Sequence, residues 1–572
     1  MVGRRHLAVI DEAWARRGST AVVVVAGAVG TLERIWLLAH LHLFGDEAIV
    51  GLMARQIGSG HPLTFYWGQT YGGVEPYVAA LMRLVNDGPV GLNATPMVLS
   101  AIASVLVGAI VAEVAGSRRL GTLAGAVAWI WPYSYVWNSV REGGFRFTTL
   151  CCGLGMVLGA VRMRGGRGGK WTCLLFGLAA GLGWWSSPEI VYFVVPTAVV
   201  VVAAIASEVK VMKVRGNAGG GAVWYRGRIA AAVLGALVGS LPWIYTNIGN
   251  GFASLNLGAQ VTPSTTPFSG RLSTFFHQTL PVQLGLKALF TGAWIGGPIW
   301  GRLLMLVISL IILAAGIRAI QTAQRGDIRP LALGLGIIAL PFLIAANPAS
   351  DYWVDGRYGV YVGPIIVTFV FSAAFAFSPQ GLAPDPTERR HRVRRNRSPL
   401  ELKSSTALGL SAVIVVAAGL LTITDGQITS GTPVIGSSAY FSSWHDPDQE
   451  IRLVVTNMVR SHIRYAYGTY WTSYDLDFLG SGRVVVTPSP HDFNRWTTAT
   501  KAVANAATPS WLFFPPARTT AATLAFSNPQ VGPGGYSETA FVALLRQLRV
   551  GYHIVHLGIL DAVTPDRAVT LP

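Results

Sequence analysis

Between residues 20 and 424 the chain returns repeatedly to apolar stretches of about 20 residues, separated by short polar loops. This recurrence constrains the fold more than any other feature. Inside a bilayer every backbone N–H and C=O must find its partner within the segment, so such stretches can only be helices or a closed barrel. Uninterrupted apolar runs of this length select the helix. Only 12% of the residues are charged and 51% are apolar, with a mean hydropathy of +0.46, a balance foreign to a soluble domain of this size. The expected fold class is therefore a polytopic α-helical membrane protein. Its spans fall near 20–43, 93–115, 120–138, 145–161, 171–186, 190–207, 229–247, 291–316, 330–346, 357–378 and 405–424, about eleven transmembrane helices. From about 425 onward no such stretch exists.

The net charge of +17 does not point to nucleic acid, because the basic residues are scattered through loops between apolar runs. They cluster at Arg4, Arg5, Arg16 and Arg17, at Arg118 and Arg119, and over 162–170, 210–228, 318–329 and 389–403. By the positive-inside rule these segments are cytoplasmic, and they alternate correctly with the spans. The expectation is a multi-pass plasma-membrane protein with a cytoplasmic N-terminus and an extracytoplasmic C-terminal domain. The first apolar run is too long for a cleavable signal and lacks a small-residue cleavage pattern before Asp46, so it is read as a span. Three parts follow: a transmembrane domain over 1–424, a linker over 425–449, and a C-terminal domain over 450–572. Cys151, Cys152 and Cys173 all lie in or beside spans, which leaves the C-terminal domain without a disulfide framework.

The first outer loop, 44–92, is far longer than an ordinary helix connection, and long loops are usually functional. It opens with Asp46 and Glu47, where Asp46 sits as an N-cap would, and continues as a helix over 47–57 expected to lie on the membrane surface. Tyr66, Trp67, Gln69, Tyr71 and Glu75 follow, combining rings for stacking with amides and carboxylates for hydroxyls, as a sugar pocket requires. An interfacial aromatic belt is the plainer reading of any single ring. Other outer loops place Arg141, Glu142 and Arg146, then Glu189, then Asn247, then Asp355, Arg357 and Tyr358 on the same side. A guanidinium there can bind a phosphate bidentately or simply reach the headgroups.

These residues resemble the GT-C superfamily of membrane glycosyltransferases, in the branch similar to protein O-mannosyltransferases and the lipid A aminoarabinose transferase. The matching features are the acidic pair in Gly45–Ala48 straight after the first span, the long loop, Pro242 and Asn247, and the late Arg357-Tyr358 pair with Pro364. The resemblance covers residues 20 to about 424; the tail departs from the small relatives, which end soon after the last span. It implies a GT-C-like fold and transfer of a sugar from a polyprenyl-phosphate donor to an acceptor hydroxyl, with inversion. Asp46 would be the general base with Glu47 beside it, a role that suits a carboxylate. Arg146, Arg357, Tyr358 and Arg141 would hold the donor phosphate. Tyr66, Trp67, Gln69, Tyr71, Glu75, Glu142, Glu189 and Asn247 would line the sugar and acceptor sites. Some such enzymes use a divalent metal and others do not; no His/Cys spacing suggests one, and Asp46 with Glu142 are the carboxylates able to share a cation. The sugar can be a hexose or pentose, mannose among them, in an actinobacterial type of cell envelope. The acceptor can be a glycan, lipid or protein.

The C-terminal domain alternates helices (451–460, 470–480, 539–549) with strands (463–468, 482–490, 510–516, 551–558), which predicts a small α/β domain with a mainly parallel sheet. Its Tyr465, Tyr467, Tyr470, Trp471 and Tyr474 form an aromatic group able to stack sugars, with core and interface packing as the stronger reading. The domain is expected to help hold acceptor. A polytopic transporter or lipid flippase is the alternative of a different class. Transporters place polar residues and broken helices at the midplane, whereas here the spans are mostly clean and the charge gathers in loops.

Overall fold

The computed structural model describes residues 2–41, 43, 45–214, 218–255, 265–374, 447–515 and 532–571. The chain forms two compact units, one drawn from Met1–Ile35, Met97–Ser139 and Arg146–Gly426, the other from Trp36–Pro96, Val140–Phe145 and Gln427–Pro572.

The first unit is the helical one. Among the described residues of the whole chain, eight helices are long and apolar enough to cross a membrane: Thr20–Ala39, Pro89–Ala115, Arg146–Arg167, Pro188–Val209, Arg226–Gly249, Pro298–Gln324, Arg329–Ala346 and Arg357–Ala374. The protein is a multi-pass membrane protein. The expected span at 120–138 is a helix Arg118–Ile130 followed, after Trp131-Pro132, by a short helix Tyr133–Asn138. The expected span at 291–316 starts later, at Pro298, because Gly297 adopts a φ of 93° that no helix continues through. Leu303, Leu306, Leu310 and Leu313 of this helix are exposed, a surface suited to lipid and costly in water. The expected span at 405–424 and most of the 425–449 linker lie outside the described residues.

Helix Lys170–Ser186 shows how this unit packs without a hydrophobic drive between helices. Gly177 and Gly181 face Gly235 and Gly239 of helix Ala218–Gly249, so closely that a Cβ at Gly177 would stand 1.9 Å from the Ala232 carbonyl oxygen. Small residues four apart let two backbones touch. Arg34, fully buried, donates from Nε to Ser139 Oγ at 2.7 Å and from Nη1 to the Gly30 carbonyl at 2.9 Å, with its guanidinium 3.7 Å over Trp129. An intramembrane arginine persists only with such partners.

In the second unit a five-stranded sheet runs in the order β2-β1-β3-β5-β4, where β1 is Tyr465–Gly468, β2 Val485–Pro488, β3 Ser510–Phe513, β4 Tyr552–His556 and β5 Asp561–Pro565. β1 pairs in parallel with β2 and β3, while β5 pairs antiparallel with β3 and β4. The expected mainly parallel sheet is thus half antiparallel, because β5, unforeseen in the sequence, turns back after β4. Alternate strand residues face opposite layers. Ala466, Leu512 and Ala562 point to one core, and Tyr467, Trp511, Phe513 and Val563 to another with Phe541 and Leu545 of helix Glu538–Gln547.

The first of these cores is built from distant stretches of sequence. Ile49, Met53, Tyr66 and Leu92 of the first long loop pack with Val454, Met458, Tyr474 and Phe478 of helices Pro447–Arg460 and Tyr470–Gly480. The loop helix spans Gly45–Gly58 and buries Glu47 through Ala54. The sequence expectation of a helix resting on the membrane surface is corrected here: its apolar residues are spent on a protein core. Gly51 lies so close to helix Tyr470–Gly480 that a Cβ would stand 2.3 Å from Phe478 Cε2.

Candidate functional site

Chemistry-bearing side chains gather in each unit separately. In the second unit the focus is Asp46, in the first turn of helix Gly45–Gly58 and not at its N-cap as the sequence suggested. Its Oδ1 accepts the Tyr470 hydroxyl at 2.8 Å, and its backbone carbonyl accepts the Tyr66 hydroxyl at 3.3 Å. Tyr470 in turn accepts Arg495 Nε at 2.8 Å. Burial, then the Asp46 carboxylate, pushes both phenols above the usual tyrosine range, so they remain hydrogen-bond donors. Arg495 stacks 4.8 Å from Phe493 and 5.1 Å from Tyr66, and its Nη1 donates to the Trp67 carbonyl at 3.2 Å.

Behind Asp46 lies a buried acidic network. Glu47 is ion-paired through Oε1 with Arg141 and accepts Asn93 Nδ2 at Oε2, 3.1 Å away. Arg141, read from sequence as a phosphate ligand, is thereby occupied with Glu47. Asn93 also accepts the Glu142 backbone N–H at 3.1 Å, and Glu142 Oε1 accepts Gly144 N–H at 2.8 Å. Burial, then the neighbouring Glu75 carboxyl, drives Glu142 well above the ordinary carboxylate range. Two carboxyls in one dry site share a proton more readily than they both ionise. Asp475, also buried, is raised by burial and then by Asp448 and Glu47.

The aromatic residues of the loop are used differently from one another. Trp67 stacks on Trp496 at 4.8 Å, Tyr71 meets Phe145 edge-on at 5.1 Å, and Tyr66 is buried. The Gln69 side-chain oxygen is sealed from solvent and has no hydrogen-bond partner among the described residues. Among the described residues no group of three or more His, Cys, Asp or Glu side chains is arranged to hold a metal.

In the first unit a second cluster forms where three helices begin. Arg146 opens helix Arg146–Arg162, Glu189 lies in the 3-10 turn Pro188–Phe193 anchored by Ser187, and Arg357-Tyr358 opens the last described span. The Tyr358 ring is shared by two guanidinium groups, Arg146 at 4.8 Å and Arg357 at 5.4 Å. Arg357 Nε also meets Asp355 Oδ2 at 3.3 Å. Glu189 accepts the Tyr361 hydroxyl at 2.5 Å and Asn347 Nδ2 at 3.4 Å. Four of the sequence-selected residues, Arg146, Glu189, Arg357 and Tyr358, therefore come together. Asn247 stands apart from them: its Oδ1 accepts the Ser254 hydroxyl at 2.5 Å and its Nδ2 donates to the Trp243 carbonyl at 2.8 Å. That amide closes the end of helix Ala218–Gly249 and is spent within the chain.

Two residues of the Asp46 cluster have roles that the sequence does not reveal: Tyr470 stands in an aromatic group suited to sugar stacking or packing, with nothing linking it to Asp46, and Arg495 carries no local signal.

No known protein family and no curated protein matches the sequence. Solved structures do. ArnT from Cupriavidus metallidurans bound to undecaprenyl phosphate aligns with a TM-score of 0.53 at 14% identity, over 96% of this chain and 98% of that one. Its apo state gives 0.51 over the same shares. This chain shares the fold of ArnT. With the span-length helices and the five-stranded sheet described above, the likeness bears out the expected helical membrane fold with a C-terminal α/β domain. Archaeal oligosaccharyltransferase AglB from Archaeoglobus fulgidus, in complex with an inhibitory peptide and a dolichol-phosphate, is more distant at a TM-score of 0.44 and 12% identity, over 95% of this chain and 74% of that one.

Proposed function

We propose that this chain is a membrane glycosyltransferase that moves a sugar from a polyprenyl-phosphate carrier to an acceptor hydroxyl on the extracytoplasmic side, with inversion at the anomeric carbon. The observation that carries the reading is the Asp46 carboxylate, held by the Tyr470 hydroxyl at the start of a buried helix. Likeness in fold to an ArnT crystallised with undecaprenyl phosphate supports a polyprenyl carrier. Asp46 removes the proton of the acceptor hydroxyl as its oxygen attacks the anomeric carbon. The bond from that carbon to the phosphate oxygen breaks, and the electron pair leaves with the polyprenyl phosphate. Within the other unit, Arg146 and Arg357, braced on Tyr358, are a guanidinium pair of the kind that binds a phosphate. Exposed Phe493, beside Arg495, offers a face on which an acceptor sugar can stack.

Purified protein in detergent, incubated with radiolabelled polyprenyl-phosphate sugars, tests this directly. Asp46→Asn is nearly isosteric, so it should bind the same donor as wild type while turnover falls about 10²–10⁴-fold. An Asp46→Asn protein that turns over at the wild-type rate would remove Asp46 as the base. Labelling of introduced cysteines in intact cells checks the orientation: positions in 450–572 should react from outside.

A further inference from the structure

We infer that the C-terminal segment supplies a two-residue relay, Arg495 to Tyr470, that fixes the orientation of the Asp46 carboxylate. The inference rests on the base role proposed for Asp46. It assigns a function to Tyr470 and Arg495, which make them positioning residues and not proton acceptors.

The polarity of the relay follows from valence. A guanidinium has donors and no acceptor, so the 2.8 Å contact from Arg495 Nε must end on a lone pair of the Tyr470 oxygen. A phenol has one proton, and with its oxygen receiving from Arg495 that proton is directed to Asp46 Oδ1, also 2.8 Å away. With Asp46 ionised, as a base must be before it takes a proton, no other assignment satisfies both contacts. Each bond carries a charged partner, which makes it shorter and stronger than a neutral one.

The relay is itself held rigidly. The Arg495 backbone N–H donates to the Tyr474 hydroxyl at 2.8 Å, Nη1 donates to the Trp67 carbonyl, and the guanidinium lies against the Tyr66 and Phe493 rings. Tyr470 packs edge-on to Trp471 at 4.9 Å and to Tyr474 at 5.3 Å. With Oδ1 fastened to this framework, the Asp46 carboxylate cannot turn about its Cβ–Cγ bond without breaking a charge-assisted hydrogen bond. A base whose direction is fixed before substrate arrives contributes to turnover and not to donor affinity.

The test compares wild type, Asp46→Asn, Tyr470→Phe, Arg495→Ala and the Tyr470→Phe/Arg495→Ala double variant, all full-length in detergent. The probe is consumption of a radiolabelled polyprenyl-phosphate sugar with isolated cell-envelope fractions as acceptor. Each single variant should lower kcat by up to about 100-fold, the scale of a misplaced catalytic group, with donor KM unchanged. The double variant should be no worse than Tyr470→Phe alone. Millimolar guanidinium ion should restore part of the Arg495→Ala loss and none of the double variant's. Wild-type kcat in both single variants, beside an inactive Asp46→Asn, overturns the relay and leaves the base in place. An active Asp46→Asn overturns the base and the relay together. Additive losses in the double variant also overturn the relay, since the two residues would then act separately. Infrared spectra need no donor. Bands that Asp46→Asn removes from wild type belong to the Asp46 carboxylate, and Tyr470→Phe and Arg495→Ala should both shift them in the same direction. Bands left in place by both substitutions would sink the proposal.

Discussion

Glu47 and Asp46 are neighbours in sequence with opposite circumstances. Both Glu47 oxygens are engaged, one by Arg141 and one by Asn93, in a site almost without solvent. Removing one partner of such a buried pair costs about 3–5 kcal/mol, because the other charge is left uncompensated. The pair thus works as a brace beneath the first turn, while Asp46 is the more exposed of the two. Arg357 and Arg146 differ in a similar way: the Arg357 side chain is 28% exposed, whereas Arg146 is 8% exposed as a residue. Arg357→Ala should therefore keep the fold and weaken donor binding roughly 10- to 100-fold, the loss of about 1.5–3 kcal/mol expected for a hydrogen bond to a charged group. Equilibrium binding of a radiolabelled polyprenyl-phosphate sugar reads this, and unchanged affinity would return Arg357 to a headgroup contact. Much of this was legible in the sequence, because carboxylates and arginines stand out in an apolar chain. Tyr470 and Arg495 were not, since their role depends on a contact spanning 424 residues of chain between Tyr470 and Asp46.

At the level of elements, periodicity located the long helices well, because a bilayer imposes one length on all of them. It fared worse where burial had another cause. Helix Gly45–Gly58 is apolar over most of its circumference, which amphipathic reasoning assigned to a membrane surface; the core it joins is protein. Strand β5, with an aspartate and a proline at its ends, lacks the composition that marks strands, and helix Thr497–Ala504 is short and rich in threonine. Tertiary pairing, not propensity, makes both. The contact between helices Gly45–Gly58 and Tyr470–Gly480 depends on Gly51 having no side chain. Gly51→Ala should lower the melting temperature through overpacking worth about 1–3 kcal/mol, and Phe478→Leu in the same protein should recover part of it. A Gly51→Ala protein that melts with wild type would mean that the two helices are less closely apposed.

For the whole molecule, the sequence divided the chain at about 425, and on that division the C-terminal domain would be an appendage. The compact units divide it otherwise, grouping residues 427–572 with 36–96 and 140–145. Deleting 440–572 should still leave a protein that inserts, since spans satisfy their own backbone groups. The loop 44–92 would lose Val454, Met458, Tyr474 and Phe478 from its core, and Asp46 would lose Tyr470. The truncated protein should thus be inactive, with its loop cut rapidly by added protease; a protected loop would show that 44–92 folds unaided. A unit assembled from three separated stretches also imposes an order on biogenesis. Asp46 leaves the ribosome some 500 residues before β5, on the order of a minute at 5–20 residues per second. Throughout that interval the loop waits with its core half built, and a ribosome that stalls before Tyr470 leaves behind a protein lodged in the membrane whose Asp46 lacks its hydroxyl partner.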